Sequence, residues 1–170
     1  KVSFVNTYDA EGSWSPEGTK TLDGRAFKDG DSLSVTISGG KLPSGYAATK
    51  TVTLTTGATT ADFTFDAIGY TLADLEGAAE KTFNYTVTET ASMAGTAPDT
   101  KTHTIAVTVT DNGDGTLTVT PVYSDGDKVS FVNTYDAEGS WSPEGTKTIE
   151  NRAFKDGDSL SVTISGGKLP

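Results

Sequence analysis

Phe83-Asn84-Tyr85-Thr86-Val87-Thr88-Glu89 alternates large apolar residues with polar ones. That is the period of a strand with one face in a core and the other in water. Outward from this stretch the same period recurs: Leu33, Val35 and Ile37; Val52 and Leu54; Phe63 and Phe65; Ile105, Val107 and Val109; Leu117 and Val119; Val129 and Phe131. Roughly eight half-buried strands are predicted. Turns such as Asp111-Asn112-Gly113-Asp114-Gly115 separate them, and only Tyr70 to Lys81 reads as briefly helical. The economical arrangement is an all-β, antiparallel two-sheet sandwich with one short helical turn.

Residues 1–43 return as residues 128–170, differing only at Leu22/Ile149, Asp23/Glu150 and Gly24/Asn151. Near-identity at a period of 127 residues marks a structural unit copied in series. With a boundary in the linker-like stretch Asp9-Ala10-Glu11-Gly12-Ser13, residues 1–8 read as the last strand of a preceding repeat. Residues 9–135 are then a complete repeat and 136–170 the opening strands of the next, too short to close a core alone. The net charge of -10 is spread through turns, which argues against nucleic acid or an anionic membrane as partner and leaves neighbouring repeats. No stretch is apolar enough to cross a bilayer, and no signal or lipidation motif occurs, so an anchor is expected outside these residues. The 170 residues contain no cysteine, so disulfides and thiolate metal sites are excluded and robustness must come from elsewhere.

Three polar residues break the strand pattern. Glu89 continues the inward row Phe83, Tyr85, Val87. Asn133 lies between Phe131 and Tyr135 in the row begun by Val129. Lys20 shares a face with Leu22, opposite Thr19 and Thr21. Singly, each is accounted for by a strand end whose tip reaches water. Burying an amine, a carboxyl and an amide apart from one another is costly, so together they are expected to meet. Other candidates fit less well: Asn84 points outward, Asn112 is in a turn and Lys28 precedes an Asp-Gly turn.

The segments Lys20-Thr21-Leu22-Asp23-Gly24-Arg25, Tyr85-Thr86-Val87-Thr88-Glu89 and Phe131-Val132-Asn133-Thr134-Tyr135 resemble, in that order, the lysine, acidic and asparagine motifs of a known family. These are the isopeptide-forming domains of Gram-positive pilins and adhesins, of the streptococcal pilin isopeptide-linkage type. The resemblance spans nearly all of residues 17–135 and implies an immunoglobulin-like or Cna-B-like sandwich in a cell-wall-anchored, extracellular stalk. It further implies an amide bond between Lys20 and Asn133, with Glu89 as general acid and base. Asn6 and Lys147 are the corresponding copies in the incomplete repeats. Asn151 replaces Gly24 in the second copy, a change that a left-handed turn tolerates.

In that reading burial favours the neutral, nucleophilic amine. A carboxyl in the same setting polarises the Asn133 carbonyl and relays protons to departing ammonia. The event occurs once per molecule and needs no external substrate, cofactor or metal, so the domain is not an enzyme. The main rival is an adhesin domain binding a host glycan or matrix protein through Trp14, Trp141 or Tyr46. For the two tryptophans, packing at the joint between modules is the simpler role. A hydrolase is the weakest reading: the only histidine, His103, has no nucleophile in a recognisable elbow and is expected to be a partly exposed strand residue. The 111–115 run lacks the spaced acids of a calcium loop and is expected to be a hairpin turn.

Overall fold

Every alternating stretch forms a strand or borders one in the computed structural model of the protein, which describes residues 1–91 and 93–167. The strands are β1 (Glu11–Trp14), β2 (Glu17–Asp23), β3 (Leu33–Gly39), β4 (Thr49–Val52), β5 (Thr60–Thr64), β6 (Ile68–Thr71), β7 (Glu80–Ala91), β8 (Thr96–Ala97), β9 (Thr102–Asp111), β10 (Leu117–Tyr123) and β11 (Val129–Tyr135). A five-stranded sheet, β10-β9-β7-β3-β4, and a four-stranded sheet, β5-β2-β11-β8, form the sandwich, and β1 pairs with β6 in a two-stranded ribbon. One apolar cluster draws Leu33, Val35, Ile37, Tyr85, Val87, Ile105 and Val107 from the first sheet and Phe63, Val129 and Phe131 from the second. Alternation thus becomes burial.

The sheets are antiparallel except at one place. β11 runs parallel to β2, with Phe131 opposite Lys20 and Asn133 opposite Leu22. The opening and closing strands of the main sheets are therefore direct neighbours pointing the same way. Alternation decides which face a residue takes but not which strand lies beside it.

Two expectations are corrected. The helical stretch shrinks from Tyr70–Lys81 to a single 3-10 turn, Leu72–Leu75. Glu76 and Gly77 both take positive φ, 53° and 84°, and end it, while Tyr70 belongs to β6 and Lys81 to β7. The stretch read as a linker holds β1, paired with β6 from Glu11↔Thr71 to Trp14↔Ile68. Its inward row is Ala10, Gly12 and Trp14, and a Cβ on Gly12 would lie 2.7 Å from the Leu117 carbonyl oxygen. Small inward residues that permit close approach read as linker in a hydropathy pattern. Trp14 consequently packs within the sandwich, 5.5 Å from the Tyr85 ring and 6.4 Å from Tyr123, rather than at a joint between modules.

The chain divides into two units, Lys1–Ala137 and Glu138–Pro170. Within the first, residues 1–10 form no strand, and Val2, Phe4 and Val5 are exposed. The second has no strand among its described residues, although it repeats β1 to β3 almost letter for letter. One feature forms in both copies. Arg25 donates through Nη1 and Nη2 to Asp31 at 2.6 and 2.9 Å, and the Lys28 N–H donates to Asp31 at 2.9 Å. Arg152, Lys155 and Asp158 repeat these bonds at 2.7, 3.0 and 3.0 Å. The loop is encoded locally, whereas the strands need partners.

Asn151 takes φ 66°, as its left-handed position requires. Gly24, its counterpart, has φ 89°, and a Cβ there would approach the Tyr135 carbonyl oxygen to 2.3 Å. Closure of the first unit therefore demands glycine for space as well as for φ. Gly24→Ala is expected to cost more than about 1 kcal/mol. Gly30→Ala, at φ 85° with nothing within 4 Å of the added carbon, loses only the conformational part. Urea midpoints of the two variants check the order.

Candidate functional site

The parity of β2 and β11 turns Lys20 and Asn133 inward from neighbouring strands, and both are fully buried, at 0% exposure. Glu89 enters from the facing sheet near the end of β7, its side chain 2% exposed. The three meet. Lys20 Nζ donates to Glu89 Oε2 at 2.9 Å, and Asn133 Nδ2 donates to Glu89 Oε1 at 2.7 Å. One carboxyl thus bridges the amine and the amide nitrogen, so each of the three buried side chains has a partner. Burial pushes the Lys20 amine below its ordinary pKa, against the opposing pull of Glu89 and Asp99. Apolar walls close the site: Phe131, beside Lys20 in register, stacks on Phe63 with centroids 6.4 Å apart.

The fourth participant was not legible in the sequence. The Asp99 backbone N–H donates to Asn133 Oδ1 at 2.7 Å. Its carboxylate accepts the Val132 N–H and the Lys101 N–H, both at 2.9 Å. Pro98-Asp99 followed by a bond to the N–H two residues on is an Asx-turn signal, but nothing local shows that the turn reaches β11. The amide oxygen therefore faces Asp99 and the amide nitrogen faces Glu89. This differs from the expectation that Glu89 polarises the carbonyl. A main-chain N–H can only donate, so the oxygen must lie on its side.

His103 also departs from expectation. It is 2% exposed, its ring edge-on to Phe131 with centroids 4.7 Å apart, and its Nδ1 lies 2.8 Å from Asp125 Oδ2, out of line for a ring N–H bond. Parity already pointed there, since His103 begins the inward row of Ile105 and Val107. Asn6 and Lys147 are exposed and lie in separate units. Tyr46 is half-buried, donates its hydroxyl to the Asp66 carbonyl at 2.6 Å and packs against the core. Trp141 is 80% exposed. The 111–115 run closes the β9–β10 hairpin through the Asp111 and Asp114 carboxylates, which accept the N–H groups of Gly113 and Thr116.

Residues 16–136 match the family described as FctA, the Spy0128-like isopeptide-containing domain, and the match includes all three motif strands. The chain belongs to the FctA family. FctA domains are structural and non-enzymatic. Two solved structures of Streptococcus pyogenes are similar to this FctA domain. The T3.2 major pilin is 16% identical with a TM-score of 0.38, over 71% of this chain and 52% of its own. A second major pilin is 19% identical with a TM-score of 0.38, over 72% and 50%. The chain spans about half the length of these pilins. No curated protein matches it.

Proposed function

We propose that Lys20 and Asn133 join in an intramolecular amide bond, and that the stapled domain is a load-bearing spacer in a pilus or other stalk on a Gram-positive surface. The observation that carries this is the buried trio itself: an amine, held toward its neutral form, shares one carboxyl with the amide it would attack. Attack by Nζ on the amide carbon releases Nδ2 as ammonia, and holding the groups together replaces the search that makes amide exchange slow in water. Membership in a family of isopeptide-containing domains supports the same bond. Neighbouring repeats of the same chain are the partners this reading requires, and further subunits of the stalk follow if the array polymerises.

The parallel pairing of β2 and β11 supports the mechanical part. Tension entering at the start of β2 and leaving at the end of β11 pulls two parallel neighbours in opposite directions. Their six registered pairs, Gly18↔Val129 to Asp23↔Thr134, are then loaded in shear. A covalent bond between these strands carries the load past the rest of the sandwich. The intact mass of the purified chain tests the reading. The parent is expected to lack one ammonia, and Lys20→Ala, Glu89→Ala and Asn133→Ala are expected to keep their full masses. A parent of full mass would leave Lys20, Glu89 and Asn133 as a buried polar cluster and no more.

A further inference from the structure

We infer that the Asp99 backbone N–H is the oxyanion donor for closure of the Lys20–Asn133 amide, that the Asp99 carboxylate positions it, and that Glu89 moves protons only between the two nitrogens. This rests on the self-stapling reading above. The division of labour follows from which atom faces which. When the Nζ electron pair forms the new bond to Asn133 Cγ, the carbonyl π pair moves onto Oδ1. That oxygen already lies 2.7 Å from the Asp99 nitrogen, within the distance at which a preorganised donor stabilises a developing oxyanion. Glu89 touches neither Cγ nor Oδ1 through a hydrogen bond; its two oxygens address Lys20 Nζ and Asn133 Nδ2. A proton leaves Nζ to Oε2 and another passes from the carboxyl to Nδ2. The pair on Oδ1 then reforms the carbonyl, the Cγ–Nδ2 bond breaks and ammonia departs. Amine and primary amide become secondary amide and ammonia, with nothing left over.

The donor is fixed in place by its own side chain. β8 pairs with β11 only at Ala97↔Thr134 and Thr96↔Tyr135, after which Pro98 offers no N–H and the ladder stops. The Asp99 carboxylate takes over, accepting the Val132 N–H on β11 while bracing its own turn through Lys101. Burial pushes this carboxyl up, but the Val132 and Lys101 N–H bonds and the nearby Lys101 charge outweigh it and hold it below the usual carboxylate range. It therefore stays an acceptor at neutral pH. Val132 directly precedes Asn133, so this clamp sets the donor against the amide it serves.

The test uses the full chain made by cell-free translation, with ammonia loss followed by intact mass over time. Replacing residue 99 by its α-hydroxy acid keeps the carboxylate and swaps the N–H for an ester oxygen. Closure is expected to slow by on the order of 10²- to 10³-fold, the effect of losing one oxyanion donor. Asp99→Ala is expected to slow it as well, and Asp99→Asn, which keeps one acceptor oxygen, to recover part of the rate. Melting of Asp99→Ala in a Lys20→Met, Glu89→Gln background, which forms no bond and keeps the volume of the site, separates lost rate from lost fold. Closure of the ester chain at the parental rate would overturn the inference while leaving self-stapling intact. A parent that never loses ammonia would instead remove the reading on which the inference rests.

Discussion

Pulled from its two ends, the Lys20→Met, Glu89→Gln protein, which can form no bond, is expected to lengthen by about 400 Å when the first unit ruptures, and the parent to show no such step. The number follows from the loop that the bond would close. From Lys20 to Asn133 the chain advances 113 residues (133 minus 20), and each contributes at most about 3.3–3.6 Å when extended. In the folded state the two residues lie on adjacent strands within two register positions, so almost the whole contour of the loop is released. With the amide in place, force passes from β2 to β11 through covalent bonds, and only the flanks, residues 1–19 and 134–170, can straighten. Single-molecule stretching of the chain between identical handles reads the difference directly. A long step in the parent, with its mass already one ammonia short, would show that the bond does not lie on the load path.

This arrangement also explains why the site is buried in the middle of two long strands rather than at an edge. A hydrogen-bonded pair sheared along its length resists through all its bonds at once, yet each bond can exchange with water as soon as the strands slip. Tyr70 and Tyr85, whose hydroxyls meet at 2.8 Å inside the core, and the aromatic pair Phe63 and Phe131 add area and packing to the interior. They cannot hold once the sandwich opens, because apolar contact is short-ranged. A bond between β2 and β11 would make opening unnecessary to survive a pull.

How far the sequence reveals this depends on the range of each determinant. Lys20, Glu89 and Asn133 were legible because strand parity is local: each stands in an apolar row, and three misfits invite one explanation. The same logic applied to His103 would have buried it, since it shares a row with Ile105. β1 escaped because Ala10, just before it, and Gly12, where it crosses Leu117, are small inward residues, and size rather than hydropathy carried the signal. The parallel pairing of β2 with β11 escaped for a different reason, because alternation says nothing about neighbours. Asp99 was the hardest. Its turn is local, but its value lies in reaching Val132 and Asn133, 33 and 34 residues away. The repeated stretch makes the same point within one chain: the Arg25–Asp31 loop forms again as Arg152–Asp158, while the strands around it form only where partners exist.

Removing the bond is expected to cost more than the bond is worth, unless the carboxyl it leaves unpaired is removed too. By analogy with a disulfide, a cross-link closing a loop of this length contributes about 5 kcal/mol, chiefly through the unfolded chain. Lys20→Ala loses that and also leaves the buried Glu89 carboxyl without the N–H that Nζ supplies in the closed site, a further ~1–3 kcal/mol for a buried group left unpaired. The sum reaches the whole stability of an ordinary domain, so Lys20→Ala is expected to be marginal at best and readily cut by trypsin. Lys20→Met combined with Glu89→Gln removes both the amine and the carboxyl and keeps the volume, so no buried group is left without its partner and the further cost is close to zero. Asn133 then still has a side-chain acceptor at residue 89. The double variant is therefore expected to stay folded and to melt roughly 15–20 °C below the parent, the shift that ~5 kcal/mol produces in a domain of this size. Scanning calorimetry of the three proteins separates the contributions. Equal melting temperatures for the parent and the double variant, with the parent's ammonia lost, would mean that the amide restrains the chain under load without stabilising it at rest.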